Sequence, residues 1–353
     1  MARKPLDEIA FEFDSMKKVE GVDQYYFYSV GSYNENRKGM EYFLDRVADT
    51  PLKSISYEQY HLTPDDILKR MADSNRRTTI TLSPESHDLR ISKLAGRGVY
   101  TNEELEAWLD RALEAGISQI DIWYFIGMPE QDEKSVMGTL EYCERLLQRF
   151  KGKRVNPMLC PMIPFLDPAS TFFEYPDKHG YTVFYRTVEE HRRGMERASI
   201  INRTNYETRW LNRKGLVEVG YTAIRRLMEM KAESGSLPHA VVEGYNDKLD
   251  DALKFIMEVH DADCIEERDA RARELEGLGD EIVKRNNSVL FSGVMNQAAP
   301  INRQIGGRWF DELGWDAAAL EAASKIALVG VPAQKPTGSR GVGSRSMFPL
   351  QHL

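Results

Sequence analysis

Short apolar segments alternate with amphipathic segments along roughly the first 165 residues of the chain. The apolar segments are rich in β-branched and aromatic residues, as is typical of strands. They are Gln24–Val30, Ser54–Tyr57, Thr78–Leu82, Ile120–Ile126 and Met158–Ile163. Repeated strand–helix units favour parallel strands that are joined by right-handed helical crossovers. The pattern therefore predicts an α/β fold with five parallel strands.

The segments between these strands carry the signals of helix starts and helix ends. A helix is predicted over Leu6–Val19, and Arg37–Val47 has apolar side chains at three- or four-residue spacing, which predicts one buried face. Thr101 and Glu104 form the pattern of a capping box, and Gly116 is expected to end the helix that follows.

The sequence beyond Pro168 has a different pattern, in which helices predominate. The predicted helices are Val188–Glu196, Leu216–Lys231, Lys248–His260, Ala270–Lys284 and Asp316–Leu328. From Pro332 the chain is rich in Gly, Ser and Arg, a composition typical of disorder. We therefore predict a partial barrel over residues 1–168, a helical extension over residues 169–331 and a disordered tail over residues 332–353.

Composition excludes several classes of partner. The formal net charge is −8 and the sequence pI is about 5.6, which argues against binding to duplex nucleic acid. No apolar run approaches the roughly 20 residues that a helix needs to span a bilayer. The N-terminal segment is acidic where a signal peptide is apolar. We therefore predict a cytoplasmic protein that has neither nucleic acid nor a membrane as a partner.

The strand Thr78–Leu82 runs into a dense polar cluster, where parallel α/β folds place their sites. Ser83 and Glu85 offer a hydroxyl and a carboxylate that can hold ribose hydroxyls or an ammonium group of a small-molecule ligand, although Ser and Asp at such a position are also typical helix caps. His87 and Asp88 are candidates for a catalytic proton-transfer pair, because a carboxylate can tune an imidazole near neutrality.

Several motifs, in this order and spacing, resemble the radical SAM proteins that usually carry a cobalamin-binding domain. The motifs are SPESHD, YTNEELE, FIGMPEQDEKSVMGTLEYCERL, PFLDPAS, EYPDKHGY, EEHR and NYETRW, and the resemblance covers roughly residues 5–235. It implies a partial (β/α)6 barrel in which S-adenosylmethionine lies across the carboxyl ends of the strands. In such enzymes an electron from an iron–sulfur cluster cleaves S-adenosylmethionine to a radical, or cobalamin carries a methyl group.

The resemblance also implies roles for particular residues. Gly31 and Ser32 match the loop that approaches the methionine end of S-adenosylmethionine. Gly127 lies in the turn that contacts adenine, with Ile126 packing on the base and Gln131 hydrogen-bonding the ligand. The expected substrate-facing residues are Asp167, Tyr206 and Glu207, for which a rigid loop and a packed corner are the structural alternatives.

One departure from the family pattern concerns the [4Fe–4S] cluster. The family holds this cluster with three cysteines in a C-x3-C-x2-C loop, because one short loop must supply thiolates to one corner of the cluster. Cys143, Cys160 and Cys264 are far apart and do not form such a loop, so no metal ligands are predicted in this chain. The cobalamin-binding domain that usually precedes the barrel in this family is likewise not expected in this chain.

Three explanations of this departure remain open. The chain is the downstream piece of a truncated or split gene that begins after the first barrel strand, or a second polypeptide supplies that strand and the cysteines, or the barrel has diverged from radical chemistry. The predicted function is a radical SAM core that uses S-adenosylmethionine. The alternatives are a non-catalytic binding or scaffold subunit and a cluster-free barrel enzyme that uses Glu85, His87 and Asp88 for acid–base chemistry.

Overall fold

The main sheet of the protein has five strands. The computed structural model describes residues 5–18, 24–27, 37–50, 52–75, 77–162, 165–289, 304–305 and 308–309. In spatial order, which is also chain order, the strands are β1 (Gln24–Phe27), β2 (Ser54–Gln59), β3 (Thr78–Glu85), β4 (Gln119–Ile126) and β5 (Val155–Pro161). All five are parallel. The predicted α/β fold is therefore confirmed, and the sheet is consistent with the predicted partial barrel.

Helices precede, connect and follow the strands. They are α1 (Leu6–Met16), α2 (Arg37–Ala48), α3 (Asp65–Ser74), α4 (Leu89–Leu94), α5 (Asn102–Glu114) and α6 (Glu133–Arg149). The predicted capping box of α5 is confirmed. The Thr101 hydroxyl accepts from the amide of Glu104, and the Glu104 carboxylate accepts from the amide of Thr101 at 2.7 Å. Two amides of the first turn are thereby satisfied, which fixes the start of the helix.

One face of the sheet is apolar and forms the core. The register pairs Tyr57 with Ile80 and Ile80 with Ile120, so these side chains lie side by side on one face. All three are fully buried. Trp108 of α5 is also buried, and its indole N–H donates to the carbonyl of Thr63 at 2.9 Å. Burying these side chains supplies the main stabilisation of this part of the chain, on the order of 2 kcal/mol for each large apolar residue.

The opposite face of the sheet is polar. Glu58, Thr81 and Asp121 are register partners on β2, β3 and β4, and Thr81 and Asp121 are buried. The Asp121 carboxylate accepts hydrogen bonds from Gln119 at 3.0 Å and from Asn156 at 2.8 Å. Buried polar groups need hydrogen-bond partners, and the Asp121 carboxylate finds them within the sheet itself.

By backbone contacts the chain forms two compact units. The first contains Met1–Tyr124 and Gly138–Leu159, and the second contains Phe125–Met137 and Cys160–Leu353. Further elements of the second unit are α7 (Thr171–Glu174), α8 (Pro176–His179), β6 (Tyr181–Val183), α9 (Val188–Met195), α10 (Ile200–Arg203), β7 (Tyr206–Thr208), α11 (Arg213–Glu233), α12 (His239–Asp263), α13 (Arg268–Val289), β8 (Gln304–Ile305) and β9 (Arg308–Trp309). This part is mostly helical, as predicted.

The two longest helices of the second unit, α11 and α12, contact each other through apolar side chains. The buried cluster between them includes Met228, Leu237, Val242, Tyr245 and Leu249. The strands β6 and β7 form a short antiparallel pair in which Tyr181 lies opposite Thr208. The second unit therefore has an apolar core of its own.

Some predictions about the organisation of the chain stay predictions. The helix Asp316–Leu328 and the tail over residues 332–353 lie outside the described residues. The boundary at residue 168 also stays a prediction. Within the part of the chain that the structure describes, none of the helices is both long enough and apolar enough to cross a lipid bilayer.

Candidate functional site

The carboxyl end of β3 has an irregular backbone. The pairing of β3 with β4 shifts between Leu82 and Glu85, so that Glu85 comes to lie opposite Tyr124. Glu85 has a φ of 68°, in the left-handed region that residues other than glycine rarely adopt. This conformation costs about 1 kcal/mol or more, and such strain is concentrated at functional sites. The irregularity makes Glu85 the first candidate of the site.

Glu85 forms an ion pair with an arginine that follows α4. The Arg97 Nε donates to Glu85 Oε1 at 3.1 Å, and the carboxylate side chain is only 12% exposed. Burial raises the pKa of Glu85 to about 7, although Arg97 acts in the opposite direction, and nearby Glu58 raises it further. Glu85 therefore gains and loses its proton close to neutral pH, which is unusual for a carboxyl group.

Two tyrosines complete this group of side chains. The guanidinium carbon of Arg97 lies over the ring of Tyr60, 4.1 Å from the ring centre. The hydroxyl of Tyr100 is buried and has no hydrogen-bond partner among the described residues. Burial raises the pKa of Tyr100 far above its usual value, Glu85 raises it further and Arg97 opposes this. We call Glu85, Arg97, Tyr60 and Tyr100 the Glu85 cluster.

Ser83 lies two residues before Glu85, in the stretch of β3 where the pairing with β4 shifts. Its side chain is almost completely buried. Its hydroxyl makes no hydrogen bond to other described residues, which keeps its donor and acceptor available for a ligand. No hydrogen bond joins the described side chains of Ser83 and Glu85, and their shared ligand-binding role stays a prediction.

His87 and Asp88 have separate partners in the structure. The Nδ1 atom of His87 lies 2.9 Å from the hydroxyl of Thr139, and its ring stacks on Tyr142 with a centroid distance of 6.1 Å. Burial lowers the pKa of His87, although Asp88 raises it in part. The Asp88 carboxylate caps α4 by accepting from the amides of Arg90 at 2.8 Å and Ile91. The two described side chains share no hydrogen bond, so their catalytic pairing stays a prediction without geometric support.

The turn after β4 is held by its own glutamine. The fully buried Gln131 accepts at Oε1 from the amides of Gly127 at 2.8 Å and Met128 at 3.2 Å, and its Nε2 donates to the carbonyl of Phe125. Ile126 is fully buried. The Gln131 amide therefore stabilises the turn. The predicted adenine and ligand contacts of Ile126, Gly127 and Gln131 stay predictions, and two of the turn's amide donors are already in use.

Within the second unit, Gly127 is also in contact with two tyrosines. Its carbonyl accepts from the Tyr181 hydroxyl at 2.7 Å. Its φ is 103°, and a Cβ atom there would lie 2.8 Å from the Tyr206 hydroxyl, so glycine is required on both counts. The Tyr206 hydroxyl donates to the carbonyl of Met162, and the ring is fully buried. Tyr206 is thus a packing residue in this structure.

The remaining predicted site residues are dispersed. Asp167 is exposed, and its carbonyl accepts from the amide of Ser170 at 3.0 Å. Glu207 lies half-buried on β7 opposite Thr182. Gly31 and Ser32 lie outside the described residues. No side-chain hydrogen bond or ion pair among the described residues joins Asp167, Tyr206 and Glu207. Their substrate-facing role stays a prediction.

Arg97, Tyr60 and Tyr100 were missed by the sequence reasoning. Arg97 lies between Gly96 and Gly98, which have φ values of 80° and 73°. Such a loop follows no helical or strand periodicity, so the pattern of apolar residues gives no hint of its position. The available signal was a cation flanked by two glycines soon after the polar end of a strand, which is a weak signal by itself.

The cysteines of this chain do not fit the cluster that the resemblance implies. Cys143 is buried in α6, Cys160 is in β5 and Cys264 is exposed at the end of α12. A [4Fe–4S] cluster needs several thiolates around one small volume. Among the described residues, no group of three or more His, Cys, Asp or Glu side chains is placed to hold a metal ion. The described residues likewise give no support for a cobalamin-binding site.

Comparisons with known proteins give a coarse structural likeness. No protein-family model matches the chain, and no curated protein matches it. Among solved structures, the chain is similar to HydG, which is described as a maturase of the [FeFe]-hydrogenase. The two are 14% identical with a TM-score of 0.37, and the match covers 64% of this chain and 44% of HydG. The matched region thus spans less than half of HydG, and the family resemblance rests on the sequence motifs.

Proposed function

We propose that this chain is the ligand-binding α/β core of a radical SAM-type protein and that it binds S-adenosylmethionine at the carboxyl end of β3 through Ser83 and Glu85. The observation that carries the proposal is the state of Glu85, a buried carboxyl group on a strained backbone at the end of a central parallel strand. The sequence resemblance supports the identity of the ligand, and the polar sheet face supports a ligand rich in hydroxyl and charged groups.

The chemistry of the ligand matches these side chains. S-adenosylmethionine carries an ammonium group, a sulfonium centre and two ribose hydroxyls, all of which interact favourably with an ionised carboxylate. A bound cation or hydroxyl donor near Glu85 would offset the effect of burial and stabilise its ionised form. Ser83 supplies a hydroxyl that both donates and accepts hydrogen bonds. When bound, S-adenosylmethionine would supply the reactive sulfonium, and the cysteines of this chain add no cluster to it.

Equilibrium dialysis with labelled S-adenosylmethionine tests the proposal. The wild-type chain is expected to bind it, and Glu85→Gln is expected to bind about tenfold more weakly, because hydrogen bonds to a charged group contribute about 1.5–3 kcal/mol. Glu114→Gln is the matched control, since Glu114 is an exposed carboxylate at the end of α5. Absence of binding by the wild-type chain, or equal binding by both variants, would overturn the proposal.

A second candidate function is proton transfer by Glu85 without a metal. The specific observation is the pKa of about 7, which is where a general acid or base works best at neutral pH. The sequence-based alternative of a cluster-free enzyme shared this role among Glu85, His87 and Asp88, and the second candidate places it on Glu85. Carbon-13 NMR of labelled glutamate carboxyls, compared with Glu85→Gln to assign the signal, measures this pKa. A titration midpoint near 4.5, the ordinary value for glutamate, would exclude the second candidate.

A further inference from the structure

A thiol, an imidazole and a hydroxyl meet at the carboxyl end of α12, in the second unit. The Cys264 sulfur lies 3.7 Å from both ring nitrogens of His260, which precedes it by about one helical turn. The Nδ1 atom of His260 also lies 3.2 Å from the hydroxyl of Ser199, the N-cap of α10. A nucleophile beside a base that is held in place by a third group is the arrangement that activates nucleophiles in enzymes. We call Ser199, His260 and Cys264 the Cys264 cluster.

His260 is suited to accept the proton of the thiol. Burial lowers the pKa of its imidazole, and Lys214 and Arg213 at the start of α11 lower it further. Asp261 and Asp263 act in the opposite direction. The ring is therefore mainly neutral at pH 7. In the tautomer that donates from Nδ1 to Ser199, the Nε2 atom is the acceptor for the thiol proton.

Asn202 supplies a hydrogen bond that favours the ionised thiol. Its Nδ2 donates to the Cys264 sulfur at 3.7 Å and to the Asp263 carboxylate at 2.6 Å. The buried Asp263 carboxylate is neutralised by Arg197, whose Nε lies 3.1 Å from Oδ2. The end of a helix disfavours a thiolate and favours an imidazolium, so it has little net effect on proton transfer from Cys264 to His260.

The Cys264 thiol is also accessible to a reagent, because Cys264 is exposed. Cys143 is buried in α6, and burial raises the pKa of Cys160 to about 12. A reactive cysteine needs both exposure and a neighbouring group that stabilises its thiolate. Cys264 combines the two.

From this arrangement we infer that the Cys264 cluster is a site of reversible modification, at which Cys264 reacts with a low-molecular-weight disulfide. The thiol proton passes to Nε2 of His260, and the sulfur attacks one sulfur of the disulfide. A new S–S bond forms while the original S–S bond breaks. Cys264 is thereby oxidised to a mixed disulfide, and the released half of the reagent is reduced to a thiol that takes the proton from His260. Cys264 lies beyond the residues that resemble the radical SAM family, and the inference does not rest on the proposed function.

Incubation of the full chain with oxidised glutathione, followed by mass spectrometry of the intact chain and its peptides, tests the inference. One glutathione is expected on Cys264, and Cys264→Ser should take up none. At pH 7 His260→Gln should react at least about tenfold more slowly, because the thiol loses its base. His239→Gln is the matched control and should react at the wild-type rate, since it removes an exposed histidine at the other end of the same helix.

The pH dependence of the rate distinguishes a base from a merely structural histidine. An ordinary thiol has a pKa of about 8.5, so at about pH 10 it ionises without a base and the rates of wild type and His260→Gln should converge. A structural role would keep the two rates apart at both pH values.

A second measurement keeps the test informative if His260→Gln folds poorly. At pH 7 Cys264 of the folded wild type should react at least about tenfold faster than the same thiol in the chain unfolded by urea. The inference is overturned if the folded wild type takes up no glutathione on Cys264, if folded and unfolded chains react there at equal rates, or if His260→Gln reacts as fast as His239→Gln at pH 7.

Discussion

Replacing Glu85 by glutamine should change how the stability of the protein depends on pH. Glutamine has nearly the same shape and never ionises, so the variant removes the buried charge together with its ion pair to Arg97. Raising the pKa of Glu85 from 4.5 to about 7 corresponds to about 3 kcal/mol, at about 1.4 kcal/mol for each tenfold change in proton affinity. That value already contains the favourable ion pair with Arg97, because the pair acts on the same pKa.

The sign of the effect follows from proton binding. Below pH 4.5 the carboxyl group is protonated in both the folded and the unfolded chain, so wild type and Glu85→Gln should be similarly stable. Between pH 4.5 and pH 7 the unfolded chain loses this proton first, so the contribution of Glu85 to the free energy of unfolding falls as pH rises. Above pH 7 the loss is complete, and Glu85→Gln should then be more stable than the wild type by up to about 3 kcal/mol.

Urea denaturation at several pH values from 4 to 8 measures this difference, with amide hydrogen exchange of β3 reporting on the first unit alone. Subtracting the variant from the wild type at each pH cancels the contribution of every other titrating group, His87 included. Glu114→Gln should show no such pH-dependent difference, because its carboxylate is exposed. The reasoning would be refuted if the difference in free energy of unfolding between wild type and Glu85→Gln were constant across this pH range. It would also be refuted if the wild type were the more stable of the two at high pH.

Two further substitutions test the structural roles of predicted site residues. Asp88→Ala removes the carboxylate that caps α4, and urea denaturation should show a loss of about 1 kcal/mol; no loss would mean that Asp88 does not cap the helix. Gly127→Ala should cost at least about 2 kcal/mol, because it combines a left-handed φ with a Cβ atom 2.8 Å from the Tyr206 hydroxyl. Gly235→Ala has a similar φ of 79° with open space around it, so equal losses in the two variants would contradict a role for this contact.

The fold could be predicted because its signals are local. Alternating or β-branched segments marked the strands, and Thr101 with Glu104 marked the start of α5, where both capping bonds form. The strand that begins at Ser54 extends to Gln59, beyond the predicted Tyr57, because Glu58 pairs with Thr81 and Gln59 pairs with Leu82. Glu58 lies on the polar face, and the buried Gln59 lies on the apolar face, where its amide donates to the sulfur of Met71 at 3.4 Å. On β3 the polar Thr79 and Thr81 alternate with the apolar Ile80 and Leu82, so the two sides of this strand differ.

Elements that depend on distant contacts were not predictable in this way. The strands β6 and β7 have three residues each, too few for a periodic signal, and they pair across more than twenty residues of chain. Helix α12 begins at His239, well before the predicted Lys248, because Val242 and Tyr245 are buried against α11. Tertiary burial decided these elements, and local propensity did not.

The candidate site likewise contains residues that a local sequence signal identifies and residues whose position depends on distant contacts. Glu85 was identified because polar residues after a parallel strand are a local signal with a known meaning. Arg97 is twelve residues away in a glycine-flanked loop, and its position depends on how that loop folds back to β3. His87 and Asp88 are adjacent in sequence, but the start of α4 directs the Asp88 carboxylate to backbone amides. Adjacency along a chain does not establish a hydrogen bond between side chains.

Backbone strain alone does not distinguish a site in this protein. Glu130 and Ala169 also have positive φ values, of 60° and 69°, and Ala169 lies on the surface. Glu85 differs because strain coincides with a nearly buried carboxyl group, a pKa near 7 and an ion pair with Arg97. The positive φ and the buried carboxyl group both lower stability; glycine at this position would relieve the first, and an apolar side chain would avoid the second. Their coincidence at the end of a central parallel strand is expected of a site that binds a charged ligand, because only the bound ligand offsets those costs.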